Sequence, residues 1–262
     1  MSDLVSHLTE VRWRKVFLVT TGMLSNADYL LQLIKQHTDA LVAFEPQLQQ
    51  LLIWLEQKSV SVQTGYKPAA IRAFYLTQAL PRELIWARDL SLAFAIDSRL
   101  AGNLVPDLVL DLALMRALSL SATPTSIEQV LALRFALPEC RDVCDAQLQQ
   151  ALEQLKQQLP LEFSKKKLQE WWDINGQAWA EKLRAVVLEY RNIGHQWQLS
   201  AKQQELLKQY YYANQLFVDC LKLSCESPSV RKQFESLLLP NANEVSCSFD
   251  KNGINNYVKQ CT

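Results

Sequence analysis

The chain has 262 residues, of which 49% are hydrophobic and only 6 are glycine, and its 27 basic and 27 acidic residues cancel. A chain of this length can bury a large core, and this composition excludes the collagen-like, low-complexity and fully disordered classes. The neutral charge balance gives no electrostatic reason to expect nucleic acid or an anionic membrane as a partner.

No stretch of the sequence predicts a membrane span. Residues 16–24 are apolar but too few, and charged side chains interrupt the Leu- and Ala-rich residues 84–120, whereas a spanning helix needs ~20 predominantly apolar residues. The N-terminus has no secretory pattern, so the six scattered cysteines predict reduced thiols. We therefore expect a cytoplasmic protein without a membrane segment.

Helical signals dominate the first 80 residues. Residues 11–24 predict one helix, with Trp13, Val16, Phe17, Thr20 and Leu24 near one face. Asn26 is expected to cap a second helix, Pro46 opens a third at its first turn, and Pro68 starts a fourth.

The secondary structure of the middle of the chain is ambiguous from its sequence pattern. Residues 84–120 alternate in part with the period of a strand, but their Ala and Leu content favours short packed helices. Thr125 with Glu128 predicts a capping box over a helix at 127–137, and Asp145 predicts the cap of a helix at 146–159.

The C-terminal third predicts four helices. Ser164 is expected to cap a helix that Asn175 and Gly176 end, and a second helix follows until Gly194 provides a left-handed C-cap. Ser200 with Gln203 predicts a capping box for a long helix to about residue 223, and a short helix covers 229–239. We expect the helices on either side of Ser200 to form an antiparallel hairpin.

Two blocks of the sequence resemble a known family. The first is HLTEVRWRKVFLVTTGMLSNADYLL at 7–31 with YKPAAIRAFYL at 66–76; the second is LQEWWDINGQAWAEKLRAVVLEYRNIGHQWQLS at 168–200, then YYYANQLFVDCLKLSC and VRKQFESLLLP. They resemble the C-terminal region of bacterial, cyanobacterial-type NACHT NTPases, including its cysteine- and histidine-containing domain, over most of residues 7–240. The resemblance implies a regulatory, sensor or protein-interaction module of a signalling or antiviral defence system, with a NACHT-type NTPase as its partner.

The chain departs from that family in one large respect. It contains no G-x-x-x-x-G-K-[ST] phosphate loop, so the groups that would hold a nucleotide are missing. It begins with Met almost directly at the first block and therefore resembles a detached C-terminal piece. We expect no ATP or GTP hydrolysis by this chain alone and no cofactor.

These observations predict an all-α fold, with a helical array followed by a C-terminal helical-hairpin domain. The predicted segments are an N-terminal helical segment resembling the region after a NACHT core (1–57), an Ala/Leu-rich helical segment (58–160), the Cys/His-containing helical domain (161–240), and a flexible tail (241–262).

The cysteine and histidine positions that match the family are His195, Cys220 and Cys225. An unbroken helix from residue 201 would separate His195 from Cys220 by ~30 Å, whereas a metal–ligand bond is ~2.0–2.3 Å. A shared metal site therefore needs a sharp break near Asn214. A buried structural thiol is the preferred interpretation of Cys220; a metal site of these residues, or a redox pair of Cys220 with Cys225, is the alternative.

Arg191 and His195 offer a second alternative. HEPN-like helical ribonucleases use an Arg followed by a His a few residues later, and these two residues resemble that pair with a spacing one residue short. The preferred interpretation is a structural cap, in which one of these side chains satisfies carbonyls of the last helical turn. The remaining alternative is a gene remnant without activity.

The tryptophans of the C-terminal third are candidates for a docking surface. They are Trp171, Trp172, Trp179 and Trp197. Adjacent residues on a helix point about 100° apart, so one of Trp171 and Trp172 is expected near the rim of the core. Buried packing and a partner interface both remain open for this group.

Overall fold

A computed structural model describes residues 1–62, 65–79, 90–102, 104–120, 145–160, 165–224 and 228–239. These residues form helices and no strand, so the all-α prediction is confirmed. The predicted helix at 127–137, the Ser164 cap and the predicted tail at 241–262 lie outside the described residues. No helix in the described ranges is both long and apolar enough to cross a membrane.

The described residues form twelve helices. They are α1 Ser2–Val5, α2 Arg14–Met23 (preceded by a 3₁₀ turn at Val11–Trp13), α3 Asp28–Ala43, α4 Pro46–Ser61, α5 Pro68–Ala79, α6 Ser91–Ile96, α7 Arg99–Gly102, α8 Pro106–Leu120, α9 Ala146–Gln157, α10 Lys165–Arg191, α11 Ala201–Leu223 and α12 Pro228–Ser236. The described part of residues 84–120 thus forms the helices α6, α7 and α8, as its composition predicts.

The chain divides into two compact units. Unit 1 combines Met1–Gly102 with Trp197–Thr262, and unit 2 is Asn103–Gln196. The units do not follow the predicted segments 1–57, 58–160 and 161–240, which stay predictions about domain organisation. The helices on either side of Ser200, which the sequence analysis paired in a hairpin, fall in different units.

Helix α11 forms the centre of unit 1. It packs on α3 most extensively, and also on α2 and α6. Its buried side chains occupy more than one face and include Tyr210, Tyr211, Leu216, Phe217 and Cys220, whereas Glu205 and Lys222 are exposed. A helix that is buried over most of its surface belongs in a core, because only a narrow face is left for water.

Unit 1 also buries charge at its centre. Lys35 and Asp39 lie one turn apart on α3, form an ion pair, and expose only 2% of each side chain. Arg72 on α5 donates to Glu56 Oε2 over 2.6 Å and to the Leu238 carbonyl over 3.0 Å. Charges this far from water are tolerated only when each has such partners.

Unit 2 is built on α10, which packs against α9 and α8. The prediction that Asn175 and Gly176 end a helix is wrong, because α10 continues through both residues. Gly176 is buried, and a Cβ there would lie 2.7 Å from the Trp172 ring. The glycine therefore provides room for an indole one turn earlier instead of ending the helix.

Several predicted helix starts are confirmed by their hydrogen bonds. The Asp145 side chain accepts from Gln147 N, Ser200 and Gln203 form the predicted capping box, and Pro46 is the first residue of α4. Asn26 lies one residue before the observed cap, Ala27, although its Oδ1 accepts from Asp28 N over 2.9 Å.

The predicted inner face of α2 needs correction. Phe17 and Thr21 are its buried residues, whereas Val16 is 43% exposed. The inner face is thus displaced around the axis from the predicted one. Leu48, Leu51, Leu52 and Leu55 of α4 are all buried, as their spacing predicts.

Candidate functional site

The end of α10 is held to α8 by an arginine between two carboxylates. Arg191 Nε donates to Asp111 Oδ1, and Arg191 Nη2 donates to Asp107 Oδ1, each over 2.7 Å. Asp111 is fully buried and Arg191 exposes 15% of its side chain. Burial alone would lower the pKa of Arg191, but the hydrogen bonds and charges of Asp111 and Asp107 outweigh it and raise that pKa. The guanidinium thus carries a permanent positive charge and is hydrogen-bonded to both carboxylates.

The turn after α10 depends on two residues with left-handed backbone. Asn192 has φ 50° and Gly194 has φ 85°. Asn192 N donates to the Leu188 carbonyl over 3.1 Å, and Ile193 N donates to the Val187 carbonyl over 3.3 Å. Asparagine and glycine are the residues that adopt this conformation most readily, so the helix ends where the chain supplies them. The predicted C-cap at Gly194 lies two residues beyond the observed one.

His195 lies in the turn after α10 and bonds to Asn192. Its Nε2 lies 2.8 Å from Asn192 Oδ1, and the residue is exposed. Partial burial lowers the pKa of His195, opposed by a hydrogen bond to Asn192. Arg191 instead binds the carboxylates of α8, so its guanidinium is not presented to a phosphate. The geometry of this pair is that of a helix end, and it does not favour the ribonuclease alternative.

Cys220 is a buried thiol in the centre of unit 1. It is fully buried, and burial raises its pKa to about 11. A thiol with so high a pKa is a poor nucleophile and a poor metal ligand at neutral pH. Helix α11 is continuous through Asn214, so it lacks the break that a shared site of His195 and Cys220 requires. Cys225 lies outside the described residues.

Within the described ranges, no three or more His, Cys, Asp or Glu side chains lie close enough together to hold a metal ion. A structural zinc site in a protein requires four ligands, usually Cys and His. The metal role of His195, Cys220 and Cys225 stays a prediction, because Cys225 is not among the described residues.

Trp179 and Trp172 belong to the packing between α9 and α10. Trp179 is 3% exposed, and its Nε1 donates to the Leu155 carbonyl over 2.9 Å. The Trp172 ring meets the Trp179 ring edge to face at 5.9 Å and lies over Gly176. The indole N–H of Trp179 thus has its partner inside the unit, and Trp179 is a core residue of unit 2.

Trp197 also packs internally, in unit 1. Its ring lies 5.7 Å from that of Trp54, which in turn meets Tyr75 edge to face at 5.8 Å. Trp54 is 4% exposed, whereas Trp197 is half-buried. Trp197 therefore belongs to an aromatic cluster of this unit, together with Trp54 and Tyr75.

The solvent face of the first half of α10 carries an apolar seam of Trp171, Ile174 and Ala178. Ile174 is 82% exposed, Ala178 is exposed and Trp171 is half-buried. Their spacing of i, i+3 and i+7 places them on one side of the helix, opposite the buried Trp179 and Leu183. A row with this spacing is the pattern by which one helix packs on another.

Sequence reasoning found Trp171 but missed Ile174 and Ala178. The seam appears only when α10 is continuous, and the expected end at Asn175 and Gly176 divided it between two helices. The spacing of Trp172 and Gly176 could have predicted that α10 is continuous, because residues four apart on a helix lie over one another.

Part of the chain matches a known protein family. Residues 148–241 match the protein family described as NACHT C-terminal helical domain 2. The match begins within α9, includes α10 and α11, and ends beyond α12. The predicted resemblance to a NACHT C-terminal region is thus confirmed for this part of the chain. No curated protein and no solved structure matches the chain.

Proposed function

We propose that the chain is a non-enzymatic regulatory, sensor or protein-interaction module that associates with a NACHT-type NTPase. The match of residues 148–241 to a NACHT C-terminal helical domain carries this proposal. Such a domain works together with a NACHT region, and the chain has no G-x-x-x-x-G-K-[ST] loop with which to bind a nucleotide as that region does. The system it serves is one of signalling or antiviral defence.

The seam of Trp171, Ile174 and Ala178 is the surface we assign to the partner. Exposed aliphatic side chains are common singly, but a tryptophan and an isoleucine on one helical row form a continuous apolar strip. Tryptophan is also among the residues that contribute most to the binding energy of interfaces. Covering Ile174 fully would contribute roughly 1.5–3 kcal/mol, so a partner helix gains substantially from packing here.

The ion pairs of Arg191 support the non-enzymatic part of the proposal. A catalytic arginine must reach the charge that develops on its substrate, whereas this one holds Asp107 and Asp111. Arg191 is thereby a positioning element of the fold, which keeps the end of α10 on α8.

The test is association of the purified chain with the NACHT NTPase of the same cells, measured by isothermal titration. Ile174→Asp places a charge in the seam and is expected to weaken association at least tenfold, because the buried carboxylate would have no partner. Ala185→Asp is the matched control, since it adds the same charge to the same face of α10 about 16 Å further along.

The expected result is that Ala185→Asp binds like the wild type and that both variants keep the helical circular dichroism of the wild type. Association of Ile174→Asp at wild-type affinity would exclude the seam as the interface. Absence of any association by the wild type would contradict the proposed function itself.

A further inference from the structure

A cavity of about 260 Å³ opens within unit 1, between α6, α11 and α12. One wall is apolar and is formed by Phe94, Ile96, Val218, Leu221 and Leu238. The charged part of the lining comes from the residue before α5, the last turn of α11 and α12. A pocket with an apolar wall and a few charged groups is the usual form of a small-molecule site.

The charges at this cavity do not balance. Among the described residues that line it, Lys67, Lys222 and Arg231 are basic and only Glu235 is acidic. Lys67 Nζ pairs with Glu235 Oε2 over 2.6 Å, which leaves Lys222 and Arg231. Neither Lys222 nor Arg231 therefore has a carboxylate partner in the part of the chain that the structure describes.

Arg231 also has an unsatisfied donor. Its Nη2 donates to the Ser224 carbonyl over 3.3 Å, but its Nε is buried and has no acceptor in the described part of the chain. Leaving a buried donor unpaired is costly, and such a group calls for an explanation such as a bound ion. Compensation of the negative end of the α11 dipole accounts for Lys222, which lies in the last turn, but it leaves the Arg231 Nε unexplained.

We propose that this cavity binds a small organic anion, whose phosphate or carboxylate head contacts Arg231 and Lys222 and whose apolar body lies on the wall with Phe94. The cavity volume is below the ~300–1,000 Å³ of sites for drug-sized ligands, so a single ring or a short chain fits better than a nucleotide. An arginine supplies the charge-assisted hydrogen bonds that either head group accepts. This site is independent of the seam on α10.

The test is isothermal titration of the full chain with phenyl phosphate, benzoate and inorganic phosphate at constant ionic strength. We expect saturable, one-to-one binding of phenyl phosphate or benzoate, at least tenfold tighter than inorganic phosphate, because only the aryl anions use the apolar wall. Whichever aryl anion binds more tightly identifies the head group. Arg231→Gln is expected to weaken that binding at least tenfold.

Lys232→Gln is the matched control, since it removes the same charge from the next residue of α12, which is exposed and does not line the cavity. It should bind the aryl anion like the wild type. Lys222→Gln, at an exposed lysine, provides a second variant whose folding does not depend on a buried group. The proposal is overturned by an absence of saturable binding up to about 10 mM aryl anion, or by equal losses in Arg231→Gln and Lys232→Gln.

Discussion

Gly194 shows how one residue can be required for two independent reasons. Its φ of 85° strains any residue with a side chain, and a Cβ there would lie 2.6 Å from Leu118 Cδ1 and 3.2 Å from Val187 Cγ2. The backbone strain and the overlap add, because relieving one by rotation does not remove the other. The turn after α10 therefore depends on this glycine.

We predict that Gly194→Ala lowers the free energy of unfolding by about 2–4 kcal/mol, measured by urea denaturation. Gly22→Ala is the control, because a Cβ at Gly22 would meet no atom within 4 Å and the residue lies in α2. Alanine should stabilise that helix by about 0.5–1 kcal/mol. Similar changes in both variants would contradict the account of Gly194.

Asp97 is the second residue whose environment makes a quantitative prediction. It is 5% exposed, and its carboxylate accepts from Lys67 N and from Arg99 N and Nε. The Arg99 guanidinium, with the backbone donors, lowers the pKa of Asp97 from 3.8 to about 2, although burial opposes this. The folded state thus favours the ionised form.

Because the pKa is lower in the folded chain, the stabilisation is present above about pH 4 and is lost as the pH falls toward 2. Asp97→Asn is expected to cost about 1–2 kcal/mol at pH 7, a modest value because Arg99 exposes 59% of its side chain. The stability difference between Asp97→Asn and the wild type should shrink between pH 5 and pH 3 in urea denaturation. A difference that is constant over this range would contradict the assigned pKa.

For single residues, the sequence predicts the backbone conformation better than it predicts contacts with residues that are distant in the chain. The left-handed Gly194 follows from its place after an amphipathic helix, and a buried Cys220 follows from its place beside an apolar stripe. The contact of Gly194 with Leu118 could not be predicted, because the two residues are far apart in the chain. The same holds for Asp111, because its hydrogen bond with Arg191 joins two residues that are far apart in the chain.

At the scale of elements, the bond between Arg191 and Asp111 joins the end of α10 to the middle of α8. Arg191→Met would leave a fully buried carboxylate without its partner, and we expect a loss of roughly 3–5 kcal/mol in the free energy of unfolding. Replacing both residues, as in Arg191→Met with Asp111→Leu, should restore much of that loss, since the stranded charge is gone.

Urea denaturation of these variants measures the effect, with Arg184→Met as the control. Arg184 also lies on α10 and is only half-buried, and its replacement should change stability by less than about 0.5 kcal/mol. Equal and small effects of Arg191→Met and Arg184→Met would show that the ion pairs do not hold α10 to α8.

Helix starts were predictable because capping is a local interaction. Pro46, Asp145 and Ser200 act within two or three residues of their own positions, so the sequence contains all that decides them. Gly176 was misread for the opposite reason. Its effect on α10 depends on where the Trp172 ring lies, and the local propensity of glycine predicts only a weak helix.

At the scale of the whole molecule, the family match and the compact units divide the chain differently. Residues 148–196 of the match lie in unit 2 and residues 197–241 in unit 1. Within unit 1, α11 from the matched region packs on α3 and α2 from the N-terminal residues. The matched region therefore completes its core with residues that precede it, which no pattern within 148–241 could predict.

The proposed association with a NACHT-type NTPase is the central claim, and purification of the tagged chain from its native cells tests it most directly. Mass spectrometry would identify the proteins that accompany it. The account predicts a NACHT NTPase in stoichiometric amount with the wild type, and at least about tenfold less with Ile174→Asp. Recovery of the chain alone, with its fold intact by circular dichroism, would contradict the account.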